Sequence, residues 1–118
     1  MNTIPDNEKY EYLLKTCAYN KEIWLLKATE DMYAMVEDAS GQEYLPVWPG
    51  EKQALLLTND DWSEYKVEKM PIFEFINWLP ELENDEILIA AFPGVDMQII
   101  PVNPLDLKNH FETELNKT

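Results

Sequence analysis

Residues 71–92, PIFEFINWLPELENDEILIAAF, contain the two strongest secondary-structure signals in the chain. Four apolar residues recur at the spacing of one helix face: Ile72, Phe75, Ile76 and Leu79. Pro71 suits a first helical position, and Pro80 is expected to end the helix. After an acidic connection, the apolar run 87–92 has the length and composition of a strand. This segment therefore predicts a helix followed by a strand.

Upstream of this segment, the pattern indicates helices at both ends of a group of strands. The expected elements are a helix over 6–19, strands over 23–26, 32–36 and 43–47, a short helix over 50–58 and a strand over 65–68. The first helix is expected to bury Tyr10, Leu13, Leu14 and Cys17, and the short helix to turn Leu55 and Leu56 inward. The first three strands, separated by turn residues, suggest an antiparallel meander.

Downstream, Pro93 and Gly94 are expected to turn the chain into a last strand that ends at Val102. Asn103 then suits a helix cap and Pro104 a first helical position, so a terminal helix begins here. The chain shows no internal repeat and no linker-like stretch. It is therefore expected to form a single α+β domain over residues 1–118, a mainly antiparallel sheet packed with N-terminal, central and C-terminal helices.

The charge of the chain limits its partners. Asp and Glu number 23 against nine lysines, arginine is absent, and the formal net charge is −14. Nucleic acid and anionic membrane surfaces would repel such a protein, because proteins that neutralise phosphates cluster Lys and Arg. The sequence has no run long and apolar enough to span a membrane, and its start does not resemble a secretory signal. With the single Cys17 unable to form an internal disulfide, a cytoplasmic protein with a basic protein partner is expected.

Residues that could carry catalysis are few. The only histidine, His110, has no cysteine pair for a metal site and no nucleophile near it in sequence. Three glycines, none in a nucleotide-binding fingerprint, cannot form a phosphate cradle. Hydrolysis by paired carboxylates would need a shaped cleft that so small a domain is poorly suited to build. We therefore expect no enzyme activity, no metal site and no cofactor.

Acidic loops and tryptophans are the candidate binding residues. Trp48 lies between two prolines and Trp62 in an acidic connection, whereas Trp24 and Trp78 fall in regular elements and are expected in the core. The predicted partner-binding residues are Asp60, Asp61, Glu64, Glu83, Asp85, Trp48 and Trp62. Carboxylates of this kind would pair with basic residues of a partner and speed the encounter.

Five short motifs occur in order: EIWLL at 22–26, YLPVWP at 44–49, WLPEL at 78–82, AAFP at 90–93 and PLDL at 104–107. Together they resemble a bacterial family of uncharacterised proteins, domain of unknown function number twenty-seven fifty. The resemblance covers about residues 8–116. It implies a small α+β fold and no particular reaction. Glu86 departs from the family pattern, which often has glycine before the apolar strand.

The chain is also similar, in size, acidity and architecture, to immunity proteins of bacterial polymorphic-toxin and contact-dependent inhibition systems. That likeness implies an immunity protein that neutralises a basic toxin, such as a nuclease, by blocking its active site or substrate surface. The alternative is a non-catalytic regulatory or scaffolding domain that binds a peptide or protein through an aromatic groove.

Overall fold

The computed structural model describes residues 6–29, 32–58, 65–91 and 100–117. In chain order the elements are α1 (Asp6–Asn20), β1 (Glu22–Thr29), β2 (Met32–Tyr33), β3 (Val36–Glu37), β4 (Glu43–Val47), α2 (Glu51–Thr58), β5 (Lys66–Pro71), α3 (Ile72–Asn84), β6 (Leu88–Ala91), β7 (Ile100–Val102) and α4 (Pro104–Lys117). The α+β class is confirmed. The predicted turn at 93–94 and the start of the last strand lie outside the described residues.

The strands form two sheets. One has the order β2-β1-β5 and is antiparallel throughout, and the other has the order β3-β4-β6-β7 with β4 and β6 parallel. A bridge joins the sheets, because the backbones of Trp24 and Trp48 exchange N–H···O hydrogen bonds of 3.0 and 2.9 Å. The predicted meander is therefore wrong beyond the β1–β2 and β3–β4 pairs. Parallel pairing needs a long crossover, and here α2, β5 and α3 provide it.

The main core lies between the sheets and α1, α3 and α4. The residues that fill it include Leu13, Cys17, Ile23, Leu45, Ile72, Phe75, Leu79, Ile89, Leu107 and Phe111, all fully buried. The rings of Phe75 and Phe111 meet edge to face at 6.3 Å and so join α3 to α4. The apolar face predicted for α1 is confirmed at Leu13, Leu14 and Cys17.

The start of α4 is capped as predicted. The side-chain oxygen of Asn103 accepts hydrogen bonds from the backbone N–H groups of Leu105 and Asp106, at 2.9 and 3.2 Å. These bonds satisfy two of the amides that the first turn of a helix leaves without partners.

Three local predictions about α2 and α3 are wrong. Pro71 is the last residue of β5 and the N-cap of α3 rather than its first helical residue. The helix also continues through Pro80 to Asn84, because the next turn buries Leu82 in the core and so offsets the lost hydrogen bond. On α2, Leu55 is 41% exposed and the buried residue is Ala54. The side chain of Leu56 lies outside the described part of the chain.

A Schellman motif ends α3. The N–H of Glu86 donates to the carbonyl of Glu83 at 3.1 Å, and that of Ile87 to the carbonyl of Leu82 at 3.0 Å. The motif places Glu86 in the left-handed region, with φ of 61°. Glycine is the usual residue in this conformation, since a Cβ atom makes the conformation unfavourable and glycine has none.

Candidate functional site

Three of the seven predicted binding residues, Trp48, Glu83 and Asp85, lie in the described part of the chain. Asp60, Asp61, Trp62 and Glu64 lie outside the described residues. Glu83 is half-buried and accepts a hydrogen bond of 2.8 Å from the side-chain amide of Asn103. Glu83 therefore braces the end of α3 against the start of α4.

Asp85 is exposed at the C-cap of α3. Glu81, Glu83 and Glu86 lie within the same two turns, and the last turn of this helix contains no basic residue. Because the carboxyl end of a helix carries partial negative charge, these side chains add to a negative potential already present there. A cationic partner would be attracted to this end of α3.

Trp48, a candidate partner-binding residue in the sequence analysis, is buried in the structure. Its side chain has no exposed surface and packs with Leu26, Ala34 and Ala54 in a small second core cluster. The backbone bridge to Trp24 fixes the residue between the two sheets, so the ring points into the protein. Pro46 and Pro49 beside it are also buried.

A groove with mixed aromatic and acidic character lies beside α3. We call it the Trp78 groove; its volume is about 350 Å³, and it is lined by Tyr33, Met70, Glu74, Asn77, Trp78 and Glu81. Four of these residues come from α3, where spacings of three, four and seven residues place side chains along one stripe. The short strand β2 contributes Tyr33, and β5 contributes the nearly buried Met70.

Ring contacts hold the aromatic wall of the groove in place. The ring centroids of Trp78 and Tyr33 are 5.4 Å apart with a tilt of 47°. Trp78 also meets Phe75 edge to face at 6.3 Å, and Phe75 is fully buried. Trp78 itself is only half-buried, so its prediction as a core residue is correct in part. A half-exposed ring fixed by a core residue is a rigid surface for a ligand.

The groove carries unpaired negative charge. Glu74 and Glu81 are exposed, and among the described residues neither makes an ion pair. The nearby Lys27 is bound to Glu68 at 3.4 Å. Burial raises the pKa of Tyr33, and the carboxylates of Glu68 and Glu74 raise it further against the opposing effect of Lys27. The Tyr33 hydroxyl therefore stays protonated and can donate a hydrogen bond.

A second groove lies between α1, β7 and the start of α4. Its volume is about 300 Å³, and the residues around it are Tyr10, Ile100, Pro101, Val102, Asn103, Asp106 and His110. The Tyr10 hydroxyl and His110 Nδ1 share a hydrogen bond of 2.5 Å. Burial, and then the nearby Asp106 carboxylate, raise the pKa of Tyr10. This pair holds α1 to α4, and the groove beside it is mostly apolar.

The prediction that Cys17 is buried on the first helix is confirmed. Cys17 is fully buried on α1, and burial together with the Glu22 carboxylate raises the pKa of its thiol. Because the thiolate is the reactive form, this sulfur is protected from chemistry.

A family model for proteins of unknown function, DUF2750, matches residues 10–111 of the chain. The chain belongs to this family. The match begins in α1 and ends in α4, so every residue that lines the Trp78 groove falls within the DUF2750 region. Comparison with curated proteins and with solved structures finds no match.

Two further findings apply to the described part of this DUF2750 protein. None of its helices is long and apolar enough to cross a membrane. In the same residues, no group of three or more His, Cys, Asp or Glu side chains is placed to hold a metal ion.

Sequence reasoning missed the Trp78 groove. Glu74, Trp78 and Glu81 stand four and three residues apart, so the helix prediction alone places them along one side of α3. Trp78 directly precedes the buried Leu79, a step of about 100° around the axis that puts it at the edge of the apolar face. The contribution of Tyr33 had no such signal, because the β1–β5 pair that brings the β1–β2 hairpin to α3 depends on long-range contacts.

Proposed function

We propose that this DUF2750 protein is a non-catalytic binding protein whose partner is a basic protein. The observation that carries the proposal is the Trp78 groove, in which a fixed aromatic pair lies beside the unpaired carboxylates of Glu74 and Glu81. Aromatic faces and carboxylates both attract cations, and together they are typical of surfaces that bind Lys or Arg side chains.

The rest of the molecule supports a basic partner. The net charge of −14 produces a long-range field that accelerates association with a cationic protein and disfavours acidic ones. The carboxyl end of α3, with Asp85 and Glu86 exposed, extends the acidic surface beyond the groove. The docking face we propose therefore runs along α3 from Glu74 to Glu86.

We further propose that the partner is a bacterial toxin and that the protein acts as its immunity protein in the cytoplasm. A nuclease active site is built to attract polyanions, so a rigid acidic protein can cover it and exclude the substrate. The buried, unpaired Cys17 is compatible with a reducing compartment. This role rests on charge and architecture, and the groove supports only the basic character of the partner.

A specific observation also favours a scaffolding or regulatory domain. The groove volume of about 350 Å³ is at the small end of ligand pockets, about 300–1,000 Å³. It suits one or two side chains of a peptide better than a folded surface. In this alternative, a basic peptide segment of a cytosolic protein occupies the Trp78 groove, and no toxin is involved.

The experiment that tests the proposal is a pull-down from the native bacterium, repeated with the product of the adjacent upstream gene as a catalytically dead C-terminal fragment. We expect a one-to-one complex that weakens between about 50 and 300 mM salt. Capture of the dead fragment supports immunity, whereas capture of a different basic protein supports scaffolding. If no basic protein is captured at low salt, the proposed function is wrong.

A matched pair of double variants locates the docking face. Glu74→Gln with Glu81→Gln removes two charges from the groove. Glu37→Gln with Glu43→Gln removes the same charge from the β3–β4 pair, where the two exposed carboxylates face each other. Only the first pair of substitutions should weaken the complex by more than the loss of affinity that follows from removing any two negative charges. Equal weakening by both pairs would mean that the partner responds to net charge and not to this groove.

A further inference from the structure

We propose that the Trp78 groove is a receptor for a single arginine side chain of the partner. This inference rests on the proposed function and names the group that the site recognises. Three features of the groove carry it: the exposed part of the Trp78 ring, the carboxylates on both sides of that ring, and a floor of nearly buried apolar side chain.

The aromatic wall suits a planar cation. Trp78 contacts both Tyr33 at 5.4 Å and Phe75 at 6.3 Å, so the ring is oriented before a ligand arrives. A guanidinium stacks flat on an indole face and is more weakly hydrated than an ammonium, so less hydration is lost when it enters a half-buried groove. The aromatic contact therefore favours arginine over lysine.

The polar rim suits a group with many donors. Glu74 precedes Trp78 by one helical turn, and Glu81 follows it by nearly one turn, so their Cα atoms are about 10 Å apart along the axis. A guanidinium has five N–H donors in a fixed fork, whereas an ammonium is a compact point charge. The fork can direct hydrogen bonds toward a carboxylate and toward the Asn77 amide oxygen at the same time.

The floor suits the aliphatic part of the same side chain. Met70 is 6% exposed and lines the groove from β5. Its thioether adapts its shape to a neighbour, and the methylene stem of an arginine buries well against apolar surface. The methylene stem, the guanidinium plane and the N–H donors of one arginine thus each have a counterpart in the groove.

The test uses three blocked pentapeptides that differ only at the central residue, which is arginine, lysine or citrulline. Citrulline has nearly the shape of arginine but no charge, so it isolates the cation. Binding to the intact protein is followed by the indole N–H signal of Trp78 in ¹H–¹⁵N NMR spectra, assigned with Trp78→Phe. We expect the arginine peptide to shift this signal saturably and the lysine peptide to bind at least about fivefold more weakly. The citrulline peptide should produce no saturable shift.

Variants give the second arm of the test. Glu74→Gln with Glu81→Gln should weaken the arginine peptide by about tenfold, and Glu37→Gln with Glu43→Gln by less than about twofold. Both pairs change exposed residues, and the native fold of each variant is checked by its NMR spectrum. Equal binding of arginine and citrulline peptides, or shifts confined to signals outside the groove, would overturn the inference.

The outcomes separate this inference from the proposed function. If the arginine peptide binds at Trp78 but no basic protein is captured, the receptor stands and the proposed function fails. If a basic protein is captured in a salt-sensitive complex and no peptide shifts Trp78, the function stands and the arginine receptor is wrong.

Discussion

The Schellman motif at the end of α3 requires a left-handed residue, and this chain has glutamate there. Glu86 has φ of 61°, with the two closing hydrogen bonds intact at 3.1 and 3.0 Å. Replacement by glycine would leave those bonds unchanged, because they involve only backbone atoms. The backbone carbonyl of Glu86, which accepts a 2.8 Å hydrogen bond from the Gln42 side chain, would also stay in place.

The expected gain is about 1 kcal/mol in the free energy of unfolding. The left-handed conformation costs a non-glycine residue about 1–2 kcal/mol. The greater freedom of glycine in the unfolded chain offsets about 0.4–1 kcal/mol of that gain. Removing a carboxylate from the negative end of α3 adds about 0.3 kcal/mol. The sum is a modest stabilisation by Glu86→Gly.

Urea denaturation followed by circular dichroism measures this difference. With a urea dependence of about 1–3 kcal/mol per molar, the midpoint should rise by roughly 0.3–1 M. Glu86→Gln is the matched control, since it removes the same charge but keeps the backbone strain, and it should gain only about 0.3 kcal/mol. If Glu86→Gly is no more stable than Glu86→Gln, backbone strain at this position is not the cause and the reasoning is refuted.

A second comparison comes from the end of α1, where Lys21 has φ of 60°. Its ammonium donates to the carbonyl of Ala18 at 3.2 Å and places positive charge at the carboxyl end of the helix. Lys21→Gly would relieve the same strain but lose both of these interactions. Its gain should therefore be smaller than that of Glu86→Gly.

The other predictions concern buried and capping residues. Trp48→Ala should cost about 3–5 kcal/mol in the free energy of unfolding, because its small neighbours cannot close the cavity, whereas the exposed Tyr19→Ala should change it by less than about 0.5. Asn103→Ala should cost about 1–2 kcal/mol by urea denaturation; Asn103→Asp keeps the cap of α4 but places its carboxylate against Glu83. Hydrogen bonds from Ser40 and then Tyr44 lower the pKa of Asp38 from 3.8 to about 2. The stability that ionised Asp38 contributes is thus complete above pH 4 and is lost as pH falls toward 2. The thermal midpoints of wild type and Asp38→Asn should therefore converge over that interval.

Elements with local signals were predictable from the sequence. The cap and first residue of α4, Asn103 and Pro104, stand directly before an apolar stripe, and both roles depend only on neighbouring residues. The core face of α3 followed from spacing in the same way. Pro80 misled the prediction of its end, since a local rule about proline was outweighed by burial of Leu82 two residues later.

Strand partners other than the local β1–β2 and β3–β4 pairs were not predictable, because they depend on contacts far apart in the chain. β1 pairs with β5 from Glu22↔Pro71 to Lys27↔Lys66, and no sequence pattern in either segment identifies the other as its partner. The parallel pairing of β4 with β6 had a partial signal, since both strands are apolar on both faces, which is typical of a covered parallel strand. The sequence pattern permitted this arrangement without selecting it.

The candidate site depended on the same long-range contacts. The tryptophan between prolines, Trp48, was predicted to bind a partner and the helical Trp78 to lie in the core, but the structure buries Trp48 completely and leaves Trp78 only partly buried. Proline punctuation predicts a loop, but the bridge to Trp24 draws that loop between the sheets. The edge position of Trp78 on α3 becomes a groove only because β2 places Tyr33 against it.

The second half of α3 departs from ordinary helix design in several independent ways. It contains a proline, ends in acidic residues at the negative end of the helix dipole, and closes with a glutamate in a conformation that favours glycine. It also leaves Trp78 half-exposed between two carboxylates. Each departure lowers stability, and natural proteins keep such features mainly where a function depends on them. The concentration of these features in one segment is a reason, separate from the groove itself, for proposing α3 as the docking face of this DUF2750 protein.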